Sequence, residues 1–235
     1  MAPERHQVQI LRTGPREHQV KVASGVLEEM HRSSVLLIAC ARALSTKPPA
    51  VQKPAELVGV CTRESSAVIR TATRAEVRAK NLPHRCSYCL IVDADDRRVL
   101  VQKRVAWKET YPSHFDPCPG GVMGPDESFE ENAVRELAEE MGIVVGSPLS
   151  PSAPEFLFDF WFEDASVRNW GRLLKVRFEG ELGDLKLQPE EVESVAWLDR
   201  ASLKELLAKG PVSPDAAVAC RRWLDRDGQP APDSS

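Results

Sequence analysis

The sequence has no apolar run long enough to cross a bilayer, no internal repeat and no cysteine spacing that would build a disulfide framework. The six cysteines, Cys40, Cys61, Cys86, Cys89, Cys118 and Cys220, are scattered, and no secretory signal is read ahead of them, so a reducing compartment is expected. Cys86 and Cys89 do have C-x-x-C spacing, but they fall in HRCSYCLIV, which reads as a strand. Residues three apart on a strand face opposite ways, which favours two core thiols over a zinc site. Positive charge is also scarce. Residues 1–54 carry eight Lys/Arg against four Glu, leaving 23 positive and 31 negative charges in the remainder. A domain near −8 is a poor nonspecific nucleic-acid binder, and an acidic catalytic surface needs bridging cations to accept a phosphate substrate.

What is present is a soluble globular composition, 42% hydrophobic and 28% charged. We read residues 1–54 as a basic extension without regular order, 55–227 as one domain and 228–235 as a disordered tail. From Met30 the extension has the positive, amphipathic character of a mitochondrial presequence; the alternative is an untargeted basic linker. The expected location is therefore mitochondrial or cytoplasmic, with neither secretion nor membrane insertion.

Within the domain, residues 56–61 and 67–70 read as short strands, followed by a helix opened by Thr73. Residues 84–92 and 99–104 read as a hairpin across the acidic turn 93–98. EFLFDFWFED, apolar on both faces, reads as a central strand or a homodimer interface. Residues 170–179 and 192–198 supply further strands, and 202–209 and 214–226 the last helices.

The most informative stretch is GGVMGPDESFEENAVRELAEEMGI, residues 120–143. Ser128 with Glu131 reads as a capping box and Met141-Gly142 as a helix end. Ala133, Val134, Leu137 and Met141 make a buried face, and Glu136, Glu139 and Glu140 stand together on another. Like charges at these spacings repel, and anions in a last turn oppose the helix dipole, so something cationic must offset them. Arg135 alone cannot serve three carboxylates. Hard divalent cations, which bind carboxylate and phosphate oxygens together, are the natural candidates. Gly120 and Gly121 would let backbone approach a ligand and lend a carbonyl to the metal. On the long loop 105–115 and the strand before it, Lys103, Arg104 and Lys108 are candidates for substrate phosphates and Trp107 for a stacking surface.

Gly121, Glu127, Arg135, Glu136, Leu137, Glu139, Glu140, Gly142 and Ile143 fill every defined position of the Nudix box, G-x5-E-x7-R-E-U-x-E-E-x-G-U, with U aliphatic. At ~1 in 20 for each single-type position, chance agreement is on the order of one in a billion, so an ordinary acidic helix face is set aside. The runs HRCSYCLIV, LVQKR, Trp107-Lys108, Tyr111-Pro112, Phe115-Asp116 and SPDAAVACRRWL further resemble the isopentenyl-diphosphate-isomerase-like branch of bacterial Nudix hydrolases.

The resemblance implies a Nudix-type α/β/α sandwich with a mixed sheet, and the order of strands and helices is compatible with it. It implies hydrolysis of a small-molecule diphosphate substrate, a nucleoside diphosphate linked to another moiety. Glu136, Glu139 and Glu140 would hold Mg2+, with Mn2+ as an alternative, and Glu127 would support the site at its rim or through water. Arg135 would orient Glu136 and Glu139. The general base would be Glu139, or Glu190 or Glu191 swinging in from the loop before the last strand. Two rivals stand beside this reading. An isopentenyl-diphosphate isomerase would use a cysteine near the box and histidine ligands. Cys118 and His84 resemble these, but Gly121 replaces an expected histidine, Cys118 is out of register and lone His114 does not fill the gap. A catalytically silent nucleotide sensor would have lost box glutamates that this chain keeps.

Overall fold

The computed structural model describes residues 10–12 and 56–226. Its elements, in order, are β1 Ile10–Arg12, β2 Leu57–Val60, β3 Arg70–Thr73, α1 Arg74–Ala79, β4 His84–Val92, β5 Arg98–Arg104, β6 Phe115–Asp116, α2 Phe129–Met141, β7 Glu155–Glu163, β8 Arg168–Arg177, a 3-10 turn Leu182–Asp184, β9 Val192–Asp199, α3 Arg200–Lys209 and α4 Pro214–Arg226. Strands of both orientations form one mixed sheet, with β8 parallel to β4 and the other pairings antiparallel. One apolar cluster lies between the sheet and α2, built around Ile91, Leu100, Leu137, Met141 and Leu174. A second lies on the opposite face with α3 and α4, around Leu90, Phe160, Leu173, Leu203 and Trp223. The result is an α/β/α sandwich. Cys86 falls in the second cluster and Cys89 in the first, on opposite faces, as strand alternation requires.

Ile10–Arg12 pair with Ser194–Ala196 of β9, so that part of the N-terminal extension joins the sheet edge instead of standing outside the fold. Otherwise residues 1–54, including the basic segment from Met30, and the tail 228–235 lie outside the described residues. Among the described residues no helix is long and apolar enough to cross a membrane.

The hairpin turn forms as expected: Asp93 Oδ1 accepts from the amides of Arg97 and Arg98 at 2.7 and 3.1 Å. Beyond Val92 and Val99, however, the two strands part company, β4 running beside β8 and β5 beside β9. The edge that β4 thereby loses is taken by residues 119–123. Cys89 N donates to Pro119 O at 2.8 Å, Ser87 N to Gly121 O at 3.1 Å and Met123 N to Arg85 O at 3.0 Å. The glycine pair is thus fixed in the sheet as backbone, directly below α2.

Two strand expectations are corrected. The strand read at 67–70 forms at Arg70–Thr73, because its pairing with Leu57–Val60 carries it to the cap of α1 and leaves Ile69 exposed in the turn. Among the described residues β7 pairs with β8 alone, so it is an edge strand and not a central one. Phe158, Phe160 and Phe162 are buried while Asp159 and Glu163 are exposed and Leu157 and Trp161 only partly buried, a one-sided pattern that a run of consecutive apolar letters conceals.

Helix α2 forms where its caps place it. Ser128 Oγ accepts from Glu131 N at 3.2 Å, Glu131 Oε2 accepts from Ser128 N at 2.9 Å, and Gly142 closes the helix at φ 69°. Phe129, Ala133, Leu137 and Met141 are buried, whereas Val134 is only partly so. Burying Leu137 and Met141 contributes about 1.5–3 kcal/mol each, well above the ~0.2–0.5 kcal/mol that each like-charge glutamate pair costs. Packing therefore carries the repulsion. Ser128→Ala is expected to lower stability by about 1 kcal/mol in urea denaturation, with the native fold retained.

Candidate active site

Three elements converge at the gap between β4 and β5: the carboxylate side of α2, the glycine loop 119–123, and a wall of cations from α1, β5 and the loop after it. The glutamates share one broad face of α2 but differ in burial across it. Positions 136, 139 and 140 sweep an arc of about 100°, from Glu140, which is 6% exposed, through partly buried Glu136 to exposed Glu139. Burial, and then the neighbouring Glu140 charge, push the Glu136 carboxyl up to about 7. Burial likewise raises Glu140, against the attraction of Lys108 and Arg104.

Gly121 brings backbone against this cluster. A Cβ there would lie 2.1 Å from the Glu136 carboxylate, so no larger residue leaves that carboxylate where it is. At Gly120 a Cβ would lie 2.0 Å from Ser87 O on β4.

Arg135 ties the helix to the loop ahead of it. Its Nε and Nη2 donate to both oxygens of Glu127, at 2.8 and 3.2 Å, and its Nη1 donates to Glu136 at 2.9 Å and Glu139 at 3.4 Å. Glu127 also accepts from Gly124 N at 3.0 Å and Asn132 Nδ2 at 2.8 Å, and against partial burial Arg135, then these two donors, hold its pKa below the usual carboxylate range. Arg85 completes the loop by donating to the carbonyls of Gly124, Pro125 and Glu127. Glu127 is therefore occupied in shaping the loop and reaches Glu136 and Glu139 through Arg135.

Among the described residues no three acidic, histidine or cysteine side chains stand ready-grouped as a metal centre. Glu136 and Glu139 are held by Arg135, and Glu140 lies 3.8 Å from Lys108 Nζ, which also pairs with Glu191. The donor set nevertheless fits a hard divalent cation: three carboxylates on one helix, two of them in surroundings that penalise bare negative charge, beside a glycine that keeps the approach open.

Facing them is a cleft open to solvent. Arg104, Lys108, Gly120 and Gly121 line it, together with Arg74 and Arg78 of α1, which the sequence reading did not assign. Their spacing of four residues on a helix was the available signal. The cations repel one another. Burial and the Arg74 guanidinium push Arg78 down to about 10, and burial brings Lys108 down to about 8. Arg104 and Arg74 contribute to that lowering of Lys108 and Glu140 opposes it, so an anion in the cleft would favour the charged form of Lys108.

Two expected contributors are elsewhere. Lys103 alternates to the opposite side of β5 from Gln102 and Arg104 and donates to Glu193 at 3.0 Å. Trp107 is not among the residues that line the cleft; its indole N–H donates to Glu190 O at 3.0 Å, so it fastens one loop to the other. Of the two loop carboxylates, Glu191 is brought beside Lys108, while Glu190 is exposed. His114 Nδ1 lies 2.9 Å from Pro112 O and its ring packs against Tyr111, but His114 itself is not among the residues that line the cleft. Cys118 and His84 do line the cleft, but Cys118 is fully buried and its thiol is pushed well up by burial and by Cys220. Burial keeps the His84 imidazole below its ordinary value, with Nδ1 at 2.8 Å from Leu82 O.

The cleft floor was also missed from sequence. Tyr88 donates to Asp215 at 2.9 Å and accepts from Asn169 Nδ2 at 2.8 Å, joining β4, β8 and α4. Burial, then the nearby Asp116 charge, push Asp215 up to about 6. In the fold Asp215 keeps its proton above the pH at which the unfolded chain releases it, so its contribution to stability is present below pH ~4 and lost as pH rises through about 6. Relative to wild type, Asp215→Asn is expected to flatten this segment of the urea-denaturation profile by roughly 1–3 kcal/mol.

The family model described as NUDIX domain matches residues 82–219. The chain is 33% identical over 167 residues to an uncharacterized Nudix hydrolase of Yersinia pestis, covering 71% of this chain and 85% of the relative. It is 34% identical to the uncharacterized Nudix hydrolase YfcD of Escherichia coli, covering 71% and 86%. A Streptomyces coelicolor relative, also an uncharacterized Nudix hydrolase, is 34% identical over 172 residues, covering 70% and 88%. Among solved structures, DR0079 of Deinococcus radiodurans is similar in fold, with a TM-score of 0.58 at 17% identity, covering 71% of this chain and 98% of that one.

Proposed function

The chain belongs to the Nudix hydrolase family, and from that premise we propose that it cleaves the diphosphate linkage of a nucleoside diphosphate derivative or a related small metabolite with Mg2+. The observation that carries the reading is the placement of Gly120 and Gly121 between the α2 carboxylates and the cation wall of the cleft. A diphosphate lying across that backbone meets both at once.

Glu136, Glu139 and Glu140 would hold the divalent cation, Mg2+ or in its place Mn2+. When bound, it supplies neutralisation of the diphosphate charge and activation of the attacking water. Arg74, Arg78, Arg104 and Lys108 bind and orient the phosphate oxygens. Water adds to one phosphorus, the bridging P–O bond breaks, and the proton released from the water passes to Glu139 or Glu191. Arg135, tied to Glu127, keeps Glu136 and Glu139 from drifting and touches no reacting atom.

Within the family we place the chain in the isopentenyl-diphosphate-isomerase-like branch on its flanking runs, as a hydrolase and not an isomerase. Cys118, buried against Cys220 as a thiol, is poorly suited to the proton transfer that isomerisation needs. The reading includes a homodimer along the open edge of β7, supported by exposed Phe156, and a mitochondrial or cytoplasmic location according to whether the segment from Met30 is a presequence or an untargeted linker.

The test is to incubate the full chain with a panel of nucleoside diphosphate derivatives, nucleoside triphosphates and prenyl diphosphates, with Mg2+ or with EDTA. Two phosphorylated products, or phosphate release, that appear only with Mg2+ are expected. Turnover that persists in EDTA, or none on any member, would count against the reading.

A further inference from the structure

The cleft floor is polar, and its polarity has a direction. Tyr88, Asp116, Asn169 and Ser213 are each between 1 and 6% exposed, and all line the cleft. At neutral pH the Asp215 carboxylate can only accept, so the Tyr88 hydroxyl donates to it. The Tyr88 oxygen must then accept from its other neighbour, which turns the Asn169 NH2 group towards it at 2.8 Å. That relay fixes the amide, and Asn169 Oδ1 is left as a buried acceptor with no hydrogen-bond partner. The Ser213 hydroxyl, two residues before Asp215, is likewise buried and unpartnered. Asp116 Oδ1 already accepts from Cys118 N at 3.0 Å, and its Oδ2 faces Arg104 at 3.4 Å. Asn169 Oδ1 needs a donor, the Ser213 hydroxyl can take either role, and the unpartnered Arg104 Nε needs an acceptor such as a phosphate oxygen.

We propose that Asn169, oriented by Tyr88 and Asp215, selects the moiety attached to the diphosphate, and that this moiety carries hydroxyl donors, as a sugar or polyol does, in preference to a hydrocarbon tail. The inference rests on the hydrolase reading, in which the neighbouring cations hold the phosphates. A hydrocarbon tail on the floor would leave Asn169 Oδ1 desolvated and unpaired, whereas a hydroxyl satisfies it. Sites built to bond a hydroxyl reject analogues that lack one far more strongly than apolar pockets reject an added group. Tyr88 and Asp215 are positioning residues, acting through the amide that they orient.

The experiment is calorimetry on the full chain in EDTA, so that ligand is not consumed, with ADP-ribose, geranyl diphosphate and inorganic diphosphate as probes. ADP-ribose is expected to bind about 10-fold or more tighter than geranyl diphosphate, and Asn169→Leu to erase that preference without weakening inorganic diphosphate. Tyr88→Phe, which keeps the ring and frees the amide to flip, is expected to reduce the preference by roughly 5-fold, and it serves if Asn169→Leu does not fold. Equal or stronger binding of geranyl diphosphate, binding of none of the probes, or a preference that survives both substitutions would overturn the proposal. Failure of the parent reading looks different: selective binding with no Mg2+-dependent turnover removes the hydrolase and leaves the subsite.

Discussion

Glu140→Gln is expected to lower Mg2+-dependent hydrolysis on the order of 10³-fold while changing stability by less than about 1 kcal/mol. Of the three glutamates, Glu140 is the most buried, with Lys108 Nζ at 3.8 Å. Glutamine keeps its shape and removes its charge. A divalent cation supplies several kcal/mol of charge stabilisation to the transition state, and each ~1.4 kcal/mol is tenfold in rate, so losing a ligand carboxylate reads out as orders of magnitude. The fold has little reason to object. Burial already disfavours the charged form of Glu140, and Lys108 keeps Glu191 as a partner when the charge is gone. The check is kcat/KM on whichever panel member wild type hydrolyses, beside urea denaturation of both proteins. Activity near wild type would sink the assignment of Glu140 to the metal.

Gly121→Ala and Gly120→Ala, adjacent and chemically identical changes, are expected to fail in different ways. At Gly121 the added methyl would meet the far end of the Glu136 side chain at 2.1 Å. That carboxylate can rotate away, so stability should hold within about 1 kcal/mol, while hydrolysis should fall about 10²-fold because a ligand group has been moved. At Gly120 the methyl would meet Ser87 O at 2.0 Å and Tyr88 Cα at 3.0 Å, both backbone atoms of β4. Neither can yield without breaking the pairing of residues 119–123 with β4, so a loss of about 1–3 kcal/mol or more is expected. Thermal melts and kcat measured on the two variants together separate these outcomes. A destabilised Gly121→Ala with normal residual kcat per folded molecule would contradict the account of the loop.

The features legible in the sequence are those with a local cause. Ser128, Glu131 and Gly142 mark both ends of α2 because capping is decided within one turn of the chain. Asp93 marks its hairpin turn by bonding amides four and five residues on. Cys86 and Cys89 could be assigned to opposite faces from the strand period alone. What escaped was set by partners distant in sequence. Nothing local says that β7 has β8 on one side and an open edge on the other, or that β4 and β5 separate beyond Val99 and admit the glycine loop. The glutamates were legible as a cluster, but their arc from buried Glu140 to exposed Glu139 depends on how α2 is rolled against the sheet. Trp107 and Lys103 looked suited to a ligand by residue type and are used instead to fasten loop to loop and strand to strand. The Tyr88, Asn169 and Asp215 relay joins residues 81 and 127 positions apart, beyond any spacing rule.

The central claim is that the α2 glutamates bind a divalent cation, and the most direct measurement is a calorimetric Mn2+ titration of the full chain beside Glu140→Gln, with no substrate present. The account predicts saturable binding by wild type and a loss of affinity of about 100-fold or more in the variant, because a direct ligand should cost at least as much as the 10–100-fold typical of the groups behind one. Equal Mn2+ affinity in the two proteins would contradict it.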